Sequence, residues 1–330
     1  MGNAVQNEYG FYDRLNANFP SQVIVDATEI CNLACIHCPH PEFKKSPHYT
    51  AKSLTLELNN KMADEVRDFG KGITQYIRYT SNGEPLANPK IYDMLKYSVE
   101  NSGTTVCLTT NGTLLNPKNL EKVLATGVDL IDISIDAFSD EVYSKIRVNG
   151  KLPITRGNVI NLLKTRSQRT KPLKVVVSYV EQPQNIHESK DFEKFWKDEG
   201  ADYVIIRKLH SASGGVKQTA ETLREKGTEQ ERYPCLYPWE RITLNPEGYL
   251  SFCPSDWVHG SNVCDYRTTT IRETWQGQFY TELRKAHTCN NFGKHEFCGQ
   301  CPDWQLTTWP KKSGRSYANM IEDFGLTEQV

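Results

Sequence analysis

Cys31-Asn32-Leu33-Ala34-Cys35-Ile36-His37-Cys38 sets three cysteines at C-x3-C-x2-C, directly behind the β-branched run Val23-Ile24-Val25. A loop with that spacing can turn three thiolates towards one point. Cysteine thiolates hold iron–sulfur clusters, normally four to a cluster. Three on one loop leave one iron of a 4Fe–4S cluster without a protein ligand. An open metal position is where a small molecule binds and is activated. A zinc site or three unrelated core thiols are the plainer alternatives.

Outward from this stretch a unit recurs: a short β-branched run, a motif, then an amphipathic helix. Strands are expected at 22–26, 75–80, 104–109, 129–135, 173–179 and 203–207. Helical spacing lies between them, as in Leu58, Met62 and Val66 or in Ile91, Met94 and Leu95. Six strands alternating with helices imply an α/β fold with a parallel sheet. The chemically distinctive residues fall at strand C-termini, where barrel enzymes place their chemistry. The triplet follows the first strand, Gly83-Glu84-Pro85 the second and Asn111-Gly112 the third, while Ser134 and Asp136 end the fourth.

A chain of 330 residues can bury one barrel and a smaller domain. With 39 basic and 40 acidic residues the net charge is -1, so no basic field points to nucleic acid. The N-terminus has no apolar export segment, and no run of about 18 apolar residues suggests a membrane span. Only about 20 residues precede the first expected strand, too few for a leader-peptide-binding domain. Ten cysteines in such a chain point to metal or redox chemistry in the cytoplasm rather than to disulfides.

A second cysteine group begins at Cys235 and runs C-x12-G-x4-C through Gly248 to Cys253, followed by Cys298-Gly299-Gln300-Cys301. Residues 239–251 read as a hairpin turning at Asn245-Pro246-Glu247-Gly248, which brings Cys235 and Cys253 towards each other. Four thiolates suffice for a structural zinc or a fully ligated cluster, and spacing alone does not choose. Cys107 lies inside the third strand as a core residue, and Cys264 and Cys289 have no assigned partner. The expected division is a cover segment at 1–20, the barrel at 21–210, a solvated linker at 211–233, a cysteine-rich domain at 234–309 and a tail at 310–330.

The C-x3-C-x2-C triplet after the first strand resembles the signature of the radical S-adenosylmethionine (radical SAM) enzymes. His37 stands where that family usually has Tyr or Phe. The resemblance implies a partial (β/α)6 barrel, with Cys31, Cys35 and Cys38 holding a 4Fe–4S cluster whose open iron takes SAM. It implies that Gly83 and Glu84 bind the methionine amino group, with Ser134, Asp136, Arg147 and Asn111 around the ribose and carboxylate. From the residues alone, Gly83-Glu84-Pro85 is also a turn, Asp136 a helix cap and Asn111-Gly112 a tight turn.

The second group is similar to the SPASM domain, which carries auxiliary 4Fe–4S clusters. Thr307 stands where a longer SPASM pattern would have a further cysteine, so the likeness is to the shortened twitch form, as in the aminocyclitol dehydrogenase of butirosin biosynthesis. Cys235, Cys253, Cys298 and Cys301 would then hold a second 4Fe–4S cluster. The expected reaction is hydrogen-atom abstraction from a sugar, aminosugar or cyclitol-like alcohol, with the auxiliary cluster accepting an electron as a ketone forms. A reducing partner such as flavodoxin or ferredoxin is implied. The alternatives are a radical epimerase with Cys264 as hydrogen donor, a peptide maturase forming crosslinks or thioethers, and a zinc-stapled binding protein.

Overall fold

The computed structural model describes residues 15–169, 171–227 and 232–306. Strands β1 (Gln22–Val25), β2 (Tyr76–Tyr79), β3 (Thr105–Thr110), β4 (Leu130–Ser134), β5 (Lys174–Glu181) and β6 (Tyr203–Lys208) form where the β-branched runs place them. Each pairs in parallel with the next. Helices α1 (Leu56–Phe69), α2 (Ile91–Asn101), α3 (Pro117–Ala125), α4 (Asp140–Ile146), α5 (Leu152–Thr165) and α6 (Ser189–Asp198) make the crossovers. This is the expected partial barrel.

Alternation along the strands divides the side chains between two faces. Val23, Val25, Ile77, Val106, Leu108 and Ile131 pack under the helices against Met62, Val66, Met94, Leu95 and Leu120. On the other face Ile24, Tyr76, Cys107, Leu130, Val176 and Ile205 form a separate cluster that floors the barrel lumen. Cys107 is thus the core residue expected.

The sheet does not end with the barrel. Strand β7 (Arg241–Leu244) pairs in parallel with β1, Gln22 opposite Arg241. Strands β8 (Tyr249–Ser251) and β9 (Asn262–Asp265) continue antiparallel, giving one nine-stranded sheet in the order β6-β5-β4-β3-β2-β1-β7-β8-β9. The hairpin turns at residues 245–248, where Gly248 takes φ +88. Helix α7 (Lys217–Gly227) precedes β7 in the chain, and α8 (Ile271–Gln276), α9 (Gln278–Thr288) and α10 (Glu296–Gln300) follow β9.

Of the solvated linker expected at 211–233, the described residues up to 227 are instead built structure. Residues 217–227 form α7, and the turn before it is bound to the cysteine-rich domain. Asp303 accepts from the Ser211 N–H and hydroxyl and from the Ser213 N–H at 2.7–2.8 Å. The Gln305 amide donates to the Leu223 carbonyl at 2.6 Å. Polar partners, rather than an apolar stripe, hold the segment down. Of the cover segment, Leu15 packs with Leu236 and Trp239, and the Asn16 carbonyl accepts from the Trp275 indole. The tail at 310–330 and Thr307 lie outside the described residues.

Candidate functional site

The triplet loop leaves the C-terminal end of β1 and is fastened on two sides. Ala34 N–H donates to the Val148 carbonyl and Ile36 N–H to the Ile146 carbonyl, both at 3.0 Å, tying the loop to the end of α4. The Asn111 amide donates to Asn32 Oδ1 at 3.0 Å, and Asn32 donates to Thr113 at 2.8 Å. Asn111 therefore clamps the loop to the end of β3. Burial pushes the thiols up, Cys31 to about 11 and Cys38 to about 12, and neighbouring thiols in the triplet add to the rise.

Glu84 is almost wholly buried and its carboxylate is occupied. One oxygen accepts from the Thr110 hydroxyl at 2.6 Å, the other from the Asn111 N–H at 2.8 Å. Burial raises its pKa. A Cβ on Gly83 would meet the Thr28 carbonyl oxygen at 2.0 Å. That glycine is needed for the approach of two loops of the protein to each other, not only for a ligand.

Asp136 is fully buried, with a left-handed backbone at φ 64. Oδ1 accepts from the Val180 N–H at 2.7 Å, while Oδ2 lies 2.5 Å from Arg147 and 3.4 Å from His37. Helix α4 is capped by Ser139, so Asp136 is not its cap. In this structure Oδ1 is hydrogen-bonded and Oδ2 ion-paired within the protein. Arg147 reaches from Asp136 to the Cys35 sulfur, 3.5 Å away. Ser134, half-buried at the end of β4, stands opposite Ser178 of β5.

The second four cysteines come together. Cys253 and Cys298 are buried, Cys235 and Cys301 partly so. Burial is the main cause of the raised pKa of Cys253, Cys298 and Cys301, and the neighbouring thiols add to it. Ser213 lies 3.3 Å from the Cys253 sulfur. Arg232 donates to the Gly299 carbonyl at 2.8 Å and to the Cys298 carbonyl at 2.5 Å, stacked on Phe292. Cys264 is elsewhere: it sits in β9 with its sulfur 3.2 Å from the Thr274 hydroxyl. It is not among the residues that line the cleft the other four share. Cys289 is exposed at the end of α9.

That cleft, of about 780 Å³, runs from the four cysteines past the edge of β6 into the barrel lumen. Its walls include Arg78, Arg207, His210 and Arg241. Burial lowers the pKa of His37 to about 4, and His210 of the cleft adds a minor part to that shift. Arg78 and Arg207 are absent from the sequence expectations. Their signal is nonetheless present: each is a charged residue inside a β-branched run, at a position that alternation turns inward.

The Radical SAM superfamily model matches residues 25–187, and the SPASM model, an iron–sulfur cluster-binding domain, matches residues 235–302. The chain carries a radical SAM domain and a SPASM domain. Among curated relatives, an AdoMet-dependent heme synthase of Methanosarcina barkeri is 35% identical over 130 residues, 39% of this chain and 35% of that protein. The mycofactocin maturase MftC of Mycobacterium tuberculosis is 24% identical over 242 residues, 72% of this chain and 58% of that protein. The chain thus spans roughly a third to three fifths of the length of these relatives.

Two solved structures share the fold. BtrN in complex with AdoMet and 2-DOIA is 15% identical, with a TM-score of 0.57 over 85% of this chain and 92% of that one. SuiB of Streptococcus suis bound to its precursor peptide SuiA is 14% identical, with a TM-score of 0.64 over 92% and 73%.

A radical SAM domain takes a 4Fe–4S cluster and SAM, and a SPASM domain takes auxiliary iron–sulfur clusters. The donor sets fit. Three thiols on one loop and four lining one cleft are ligands of the kind that iron–sulfur clusters take.

Proposed function

We propose that the protein is a radical SAM oxidoreductase that oxidises an alcohol of a small sugar, aminosugar or cyclitol-like molecule. The observation that carries this reading is that Cys235, Cys253, Cys298 and Cys301 line the same bounded cleft that enters the barrel lumen. A cleft of about 780 Å³ falls within the range of small-molecule sites. Bound at Cys31, Cys35 and Cys38, the cluster with SAM would supply the radical chemistry that removes a hydrogen atom from carbon.

The residues of the chain hold that chemistry in place. Arg147 faces Cys35 with positive charge and is itself fixed by Asp136. Asn111 and the carbonyls of Ile146 and Val148 set the loop's position. The segment at 211–216 is pinned by Asp303 and sets Ser213 in the cleft wall beside Cys253. Cys235, Cys253, Cys298 and Cys301 would hold the auxiliary cluster as acceptor of the second electron.

The test is anaerobic incubation of the reconstituted protein with SAM, a reductant and a panel of sugars, cyclitols and their phosphates. Formation of 5′-deoxyadenosine with a product two hydrogens lighter supports oxidation. A product of unchanged mass that takes up solvent deuterium would make it an epimerase. The 24% identity to MftC over 72% of this chain favours peptide modification as the second reading. A product formed only from a peptide would establish it.

A further inference from the structure

The lumen holds one feature that neither thiol site accounts for. Asp132 of β4 is buried, and its Oδ2 accepts from Arg78 of β2 at 3.2 Å and from Arg207 of β6 at 3.0 Å. Its other oxygen accepts from the Ser178 hydroxyl of β5. Arg207 also donates to Ser178 at 3.2 Å, and Arg78 Nε donates to Thr109 of β3 at 2.9 Å. Five strands thus contribute to one polar cluster directly above the apolar floor of Ile24, Tyr76, Cys107, Leu130, Val176 and Ile205.

Position and charge separate this cluster from ordinary barrel filling. A barrel lumen is normally packed with branched apolar side chains. Buried ion clusters seldom outperform apolar packing in stability, so stability is a weak reason to keep one. Here the carboxylate lies at the back, 1% exposed, while Arg78 and Arg207 are 17% and 32% exposed and line the cleft. Both guanidinium groups thus reach the cleft with their shared carboxylate anchor behind them. Burial, with Arg78 as a like charge beside it, lowers the pKa of Arg207 against the pull of Asp132.

We propose that Arg78 and Arg207, aimed by Asp132, Ser178 and Thr109, form an oxyanion recess that holds a phosphate or carboxylate group of the substrate. This rests on the reading of the cleft as the substrate site and narrows it to substrates carrying such a group. Guanidinium suits both anions because its planar fork donates two parallel hydrogen bonds. Lys208, Arg241 and Arg232 further along the cleft add to the positive field, offset by Glu240 and Asp303.

The test uses the cluster-loaded protein and three probes, glucose 1-phosphate, glucuronate and glucose, with calorimetric binding as readout. One or both charged probes should bind at least about tenfold more tightly than glucose, since hydrogen bonds to charged groups are worth at least that factor. Preference for the phosphate or for the carboxylate identifies the group. Arg207→Gln should bring the charged probes down to the affinity of glucose, and Arg207→Lys should restore some of the difference. Equal binding of all three probes, no binding by any, or an unchanged charge preference in Arg207→Gln would each overturn the proposal. A purely structural role would lower the melting temperature of both variants and leave the preference intact. Turnover of a neutral alcohol with no charge preference in binding would end the recess and keep the oxidoreductase. Charged-probe binding through Arg207 without a product two hydrogens lighter would keep the recess and end the oxidoreductase.

Discussion

Gly83 and Arg147 show how little room single residues have around the triplet loop. A methyl group on Gly83 would sit 2.0 Å from the Thr28 carbonyl, which is backbone and cannot swing aside. Gly83→Ala should therefore cost about 3 kcal/mol and lower the iron retained after reconstitution, read by thermal melting and metal analysis. Arg147→Met leaves the Asp136 carboxylate buried without its ion partner, a loss of about 3–5 kcal/mol. The double variant Arg147→Met/Asp136→Asn should recover some of the melting temperature. Failure to recover would mean that Arg147 stabilises chiefly through Cys35. Sequence pattern located Gly83 and Asp136 by their strand-end positions, and Arg147 came through the family resemblance. It could not show that Asp136 is spent on Arg147 and Val180, because that pairing joins residues 11 and 44 positions apart.

Elements differ in how plainly local sequence marks them. The six barrel strands were legible because Val, Ile and Thr recur in runs that only a buried parallel sheet accommodates. Helix α7 was not, since Ala220 is its one fully buried side chain and its anchors are polar groups some 80 residues away. Helix α1 offers a test of such long-range anchoring. Its Glu65 accepts from the Tyr266 hydroxyl at 2.8 Å and the Ile271 N–H at 2.7 Å, pinning it to β9 and α8. Burial raises the Glu65 pKa, so its stabilising share is complete at pH below the usual carboxylate value and declines as pH rises through the folded value. The melting-temperature gap between wild type and Glu65→Gln should accordingly narrow from pH 5 to pH 8. A gap that widens over that range would contradict the assignment.

At the scale of the whole molecule, two family domains share one sheet. The β1–β7 pairing joins the barrel and the cysteine-rich domain into a single hydrogen-bonded unit. Calorimetry of the loaded protein should show a single cooperative transition, and two separate endotherms would refute the unity. A chain cut after residue 233 would expose the β1 edge as a template for strand addition and should aggregate. Pattern reading recovered both domains but assigned them a linker, since nothing local in Arg241–Leu244 says which strand it will join.

The strand order also dictates a gradient of deuterium uptake. Strand β1, which launches the triplet loop, is flanked by β2 and β7, whereas β6, which carries Arg207, ends the described sheet. The β1 amides should exchange only when the whole molecule opens, and those of β6 much sooner through local fraying. The iron-binding loop is thus rooted in the stillest region of the fold, and the arginine that faces the cleft sits on its most yielding strand. Slowed labelling of β6, with β1 unchanged, would then report an occupied cleft without any turnover.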